Sequence, residues 1–226
     1  MLEMLHITRR RLACLLSAGV VLAGGIGAAG LLAAAPADAA ACGTAVVAGT
    51  SCTMTGTLTL SGGTLTLTSP SALGWTGTIT GLDLNLVDPT TADQSYLVDD
   101  ATGIGAGWHV TVSATPFAHV GSPLPDTGTF STNGSLTSMT DTTTPTATCS
   151  TGSTCTLPFD AAGNVTYPVA ITTGATPTPS TIYSAGIGTG KGSIIIGPVG
   201  WWLNVLGNAV PGTYTSVVTM EIISGP

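Results

Sequence analysis

The stretch Tyr96–Phe117 reads YLVDDATGIGAGWHVTVSATPF, and it decides the fold. An apolar run, Tyr96-Leu97-Val98, meets two carboxylates, Asp99 and Asp100. Glycines at 103, 105 and 107 then turn the chain. After them the pattern alternates strictly: Trp108, Val110 and Val112 point one way, and His109, Thr111 and Ser113 the other. A period of two, rich in β-branched residues, predicts a strand with one buried face. Trp108 places a large aromatic in the core directly after the turn and so fixes the strand's register.

Outward from this stretch, the same signal recurs. Leu58 and Leu60, then Leu65 and Leu67, alternate with threonine, and Ser61-Gly62-Gly63 between them predicts a hairpin. Trp75, Gly77 and Ile79 begin another strand; Leu82, Leu84 and Leu86 form a leucine face that Asp88-Pro89 ends. Further on, Val165–Ile171 carries Pro168, which predicts an edge strand. Ser193–Ile196 is a short apolar run, and Trp201, Leu203 and Val205 alternate with Trp202 and Asn204. Pro211-Gly212 leads into a last strand, Thr213–Ile223, with Tyr214, Val218, Met220 and Ile222 on one face. Residues 118–156, rich in Thr, Ser and Pro, read as a long surface excursion. No segment has the 3.6-residue stripe of an amphipathic helix. About ten strands with frequent turn signals predict an all-β fold, a two-sheet antiparallel β-sandwich.

Residues 1–39 read as a secretory leader rather than part of the fold. Thr8-Arg9-Arg10-Arg11-Leu12 is its basic region, 13–35 its apolar region, and Ala37-Asp38-Ala39 its cleavage site. The arginine run suits either a Sec or a twin-arginine route. Residues 40–226 then form one domain. That portion keeps nine acids against Lys191 alone, a charge of about −8. One lysine cannot neutralise a run of phosphates, so nucleic acid is excluded as a partner, and an anionic membrane surface with it.

The cysteines agree with export. Cys42, Cys52, Cys149 and Cys155 remain after cleavage, an even number in an oxidising compartment. Of three possible pairings, Cys42–Cys52 and Cys149–Cys155 are favoured because each closes a short Gly/Ser/Thr loop. Zinc is the alternative, but no C-x2-C spacing is present.

Two stretches resemble the WxL surface-domain family: VDDATGIGAGWHVTVSATPF in the middle of the chain, and VPGTYTSVVTMEIISGP at 210–226. Met220-Glu221-Ile222 stands where the family's second W-x-L falls, and a literal W-x-L occurs earlier, at Trp201-Trp202-Leu203. The resemblance implies a secreted β-sandwich that associates non-covalently with peptidoglycan or another wall polymer, or with a surface protein.

Candidate ligand residues follow. Trp201 and Trp202 are adjacent, so alternation sends one outward, where it could stack on a sugar face. Trp108 is a core residue first and a stacking residue second. Asp99 and Asp100 could bind Ca²⁺, but the spacing is not an EF-hand loop, and capping of turn N–H groups is the simpler reading. No metal and no cofactor are expected. Nor is catalysis, since His109 and His119 have no G-x-S-x-G beside them. Leu124-Pro125-Asp126-Thr127-Gly128 spells a sortase signal but lies a hundred residues too early, so a turn is expected there. Asn133-Gly134-Ser135 and Asn164-Val165-Thr166 fit glycosylation sequons. The T-x-T runs suggest an ice-binding ladder only superficially, because no fixed period repeats. The rival to a binding module is a self-associating subunit of a surface layer or fibre, joined through exposed strand edges.

Overall fold

The computed structural model describes residues 40–41, 48–49, 51–159 and 165–226. The leader expected at 1–39, Cys42 and the sequon Asn164 lie outside the described residues. The chain divides into two compact units, Met1–Leu58 and Thr59–Pro226. In the first, β1 (Ala40–Ala41) pairs in parallel with β2 (Cys52–Thr53).

The second unit is all-β. Its strands are β3 (Leu65–Thr68), β4 (Leu84–Val87), β5 (Tyr96–Asp100), β6 (Trp108–Ala114), β7 (Ala118–His119), β8 (Ser122–Pro123), β9 (Phe130–Asn133), β10 (Thr146–Cys149), β11 (Val169–Ile171), β12 (Ser180–Ala185), β13 (Gly192–Gly197), β14 (Gly200–Val205) and β15 (Val218–Ser224). One 3-10 turn, Thr91–Asp93, precedes β5. Three larger sheets run β10-β13-β5-β3, β11-β9-β14-β4 and β12-β6-β15, each antiparallel throughout, beside the small hairpin β7-β8. End strands of neighbouring sheets lie side by side, β11 by β12 and β15 by β3. The three sheets therefore wrap a single core, and the expected antiparallel β-sandwich is what forms.

The opening stretch explains why. In β6, Trp108, Val110 and Val112 are fully buried. Tyr183 and Ala185 of β12 join them from one side, and Val218, Met220 and Ile222 of β15 from the other. β15 pairs along the whole of β6, from Ala114↔Val218 to Trp108↔Ser224. The two stretches that carry the family resemblance are thus hydrogen-bonded neighbours. Val98 of β5 and Ile194 and Ile196 of β13 are likewise fully buried, and each such side chain contributes roughly 2 kcal/mol by burial. Glycine is required at both ends of the Trp108 ring. Gly107 has φ +79°, and a Cβ there would stand 2.4 Å from the Ala185 carbonyl oxygen. A Cβ on Gly190 would stand 2.6 Å from the Trp108 Nε1.

Three expectations are corrected. The hairpin at 57–68 does not form: only β3 does, and it pairs with β5. The Gly62-Gly63 backbone runs against Ala101 and Thr102 instead of turning, with the Gly63 N–H donating to the Ala101 carbonyl at 2.7 Å. The segment around Trp75 is not a strand either; Gly77 packs over Leu84 and Leu86. The excursion at 118–156 is not wholly superficial, because β9 lies in the middle of its sheet with all four residues buried. β12 carries no sequence expectation at all, and it flanks the central strand. Pro168 does precede an edge strand, β11.

Asn133 organises the rest of the excursion. Its Nδ2 donates to the carbonyls of Ser138, Met139 and Asp141 at 3.0, 3.2 and 2.9 Å, and its Oδ1 accepts from Ser135 N–H and Trp202 Nε1–H. It is fully buried, so the sequon at 133 offers no acceptor nitrogen in the folded chain. Cys149 and Cys155 are bonded, with Cα atoms 5.5 Å apart. Cys52 is also in a disulfide.

Two substitutions test this packing. Asn133→Ala leaves several buried backbone groups and an indole N–H unpaired, and should cost about 3 kcal/mol in chemical denaturation, with red-shifted tryptophan emission. The Tyr96 hydroxyl is buried with no hydrogen-bond partner among the described residues. Tyr96→Phe should therefore stabilise the fold by about 1 kcal/mol, and a lowered denaturation midpoint would contradict this.

Candidate functional site

The residues that the sequence offers as ligand contacts do not converge. Trp108 is fully buried, stacks on Tyr183 at 6.2 Å and donates its Nε1–H to the Gly190 carbonyl at 2.8 Å. Trp201 is fully buried on the inner face of β14 and donates to the Asp93 carbonyl at 2.8 Å. Trp202 does point to the opposite face, as alternation requires, but the loop from Gly134 to Pro145 covers it. It is only 4% exposed, with its N–H shared between Asn133 Oδ1 and the Ser135 carbonyl. None of the three can stack on a sugar, which corrects that expectation.

The acidic pair separates across the sheet. Asp100 is buried, and its Oδ1 accepts from the N–H and hydroxyl of Thr102, a local turn bond. Asp99 faces the other way. Among the described residues no group of three or more His, Cys, Asp or Glu side chains could hold a metal ion. The turn at Leu124–Gly128 is a turn, with Leu124 buried and its N–H on the Phe117 carbonyl. His109 donates its Nδ1–H to the Gly225 carbonyl, 2.7 Å away, and His119 packs on Tyr214.

What the fold builds instead is an apolar groove of about 1100 Å³. Its floor is Val112, Phe117, Trp201 and Leu203. Leu84 and Leu86 of β4 form one wall, and Val218 and Met220 of β15 the other. Both are terminal strands of their sheets, so the groove lies where two sheets stop. Two stretches without regular structure, 69–79 and 210–216, form the rims.

Trp75 is the anchor of the first rim. Its ring meets Phe117 and Phe130 edge-on at 5.6 and 5.7 Å, and its Nε1–H donates to the Trp201 carbonyl at 2.9 Å. The buried Asp88 holds the base of that rim. One of its oxygens accepts from Gly74 N–H and the other from Thr90 N–H, both at 2.8 Å. The lining contains no charged side chain. Met220, the departure from the W-x-L pattern, faces this groove. A thioether is flexible and polarisable, and fills irregular apolar gaps.

Sequence reasoning misses the groove because its lining comes from six remote stretches. One signal was available: no Asp, Glu, Lys, Arg or His occurs from Ala39 to Leu82, although several of those residues are large and apolar. Comparisons of the chain with models of known families, with curated proteins and with solved structures find no match.

Near the groove, the Asp93 carboxyl is pushed above the usual carboxylate value, first by burial and then by the Asp88 charge. An acid whose folded pKa is raised weakens the fold while ionised, and that loss disappears as pH falls toward its unfolded value. Asp93→Asn should therefore raise the melting temperature at pH 7, and the gain should vanish on acidification below 3.8. A gain that persists in acid would refute the assignment.

Proposed function

We propose that the chain is an exported, non-enzymatic binding domain of the cell surface, and that its groove holds an uncharged apolar segment of a partner protein. The observation that carries this reading is the groove itself, wide, open and without a single charged side chain. Ligand sites are typically concave and mainly apolar, with a few polar groups that orient the ligand. Serine and threonine hydroxyls on the rims fill that role here.

Export is supported by the leader pattern at 1–39 and by the Cys149–Cys155 bond, which belongs to an oxidising compartment. A surface location is supported by the resemblance of β6 and β15 to WxL domains. Wall polymer is the poorer ligand for this groove. Sugar sites present exposed flat aromatic faces, whereas Trp75 is packed against Phe117 and Phe130 with its N–H engaged by the Trp201 carbonyl.

A neutral apolar dye, Nile red, tests the groove. Its emission should rise and saturate with the mature protein, and Val210→Lys, a half-exposed rim position, should reduce that binding at least tenfold while the protein stays folded. Equal dye binding by both proteins defeats the groove reading. Retention on peptidoglycan sacculi that survives Val210→Lys would return the wall polymer to first place.

A further inference from the structure

The chain carries its own candidate for this groove. Met54, Leu58 and Leu60 are 81%, 80% and 82% exposed and lie close together in the chain, and it is grouped rather than scattered exposed apolar residues that mark interaction sites. They fall on alternate positions of an uncharged stretch, TMTGTLTL at 53–60, whose intervening positions are all threonine and which has no regular structure after Thr53. It has the alternation of a strand, yet no strand of the described residues pairs with it beyond Thr53. We propose that this arm occupies the groove of a second copy of the chain, an inference that rests on the groove being a binding site for an uncharged apolar segment.

Three observations select a second copy. The first is charge. Two mature chains of about −8 repel, and contact between them is easiest where both surfaces are neutral. The arm has no ionisable side chain, and the groove lining has no charge. The second is shape. An extended chain can add to a sheet through main-chain hydrogen bonds, and one groove wall is β4, a terminal strand with no strand beside its outer edge among the described residues. The third is area. A stable interface buries roughly 1,600 Å² in total, and reciprocal exchange makes two arm–groove contacts, so each has to supply only about half of it. Exchange of identical elements is a low-cost route to a dimer, because each contact is made twice by symmetry.

Complementation tests this directly by sedimentation velocity of the mature chain over a wide concentration range. Leu58→Lys/Leu60→Lys disables the arm and Val210→Lys the groove. All three positions are exposed or half-exposed, and circular dichroism checks that each variant folds. Wild type should sediment faster as concentration rises, and each variant alone should stay at the monomer value. An equimolar mixture of the two should associate again, because one retains the groove and the other the arm. A wild type that stays monomeric, or a mixture that does, overturns arm exchange. The dye separates the two failures. If Nile red still binds wild type and the arm variant but not Val210→Lys, the groove stands as a site for a different partner. If it binds none of them, both readings fall.

Discussion

The fold depends on how Trp108 is held. Its ring is clasped between Tyr183 and the backbone at Gly190, and its N–H is bonded to the Gly190 carbonyl. That one side chain fixes three things together. It sets which face of β6 is inward, it sets the register of β12 at Ala185, and it sets the register of β15 at Ser224. A shift of one residue in either pairing would turn an apolar row outward. Everything beyond β6 is then arranged around a strand that cannot slide. Gly107, the turn residue directly before it, is glycine because a Cβ would not fit against the Ala185 carbonyl.

Where a strand carries its own apolar row, it can be read from the sequence. β5, β6, β13, β14 and β15 all do; burial follows the alternation in β5, β13 and β15, while β6 and β14 are buried on both faces over most of their length. The same rule misleads at 57–68. The two T-L-T-L runs there are locally identical, and only tertiary structure separates them. β5 has one edge beside β13 and one beside β3, so it accepts a single further strand at that side. The run next to Ala101 takes the place, and the other is left extended. Local pattern contains no information about which wins.

β9 fails for a different reason. Phe-Ser-Thr-Asn has one apolar residue, and its burial depends on groups far away in sequence. Trp202 covers it on one face and Trp201 and Val169 accompany it on the other. Asn133 is buried because a loop folds back to satisfy its amide, an arrangement invisible to hydrophobic counting. The groove escapes notice for the same reason, since its floor joins Val112, Phe117, Trp201 and Leu203 from three separated stretches. The tryptophans are legible as important but not as to role: each indole N–H is engaged by a carbonyl of another element, so they hold sheets together rather than meet solvent.

The pairing of β15 with β6 also constrains when the molecule can fold. Ala114 and Val218 are partners across about a hundred residues of chain. A chain that emerges amino end first exposes the central strand long before the strand that completes its sheet. Until residues 218–224 arrive, β6 has an open edge and an uncovered row of valines. Residues 218–224 are therefore the ones that complete the central sheet.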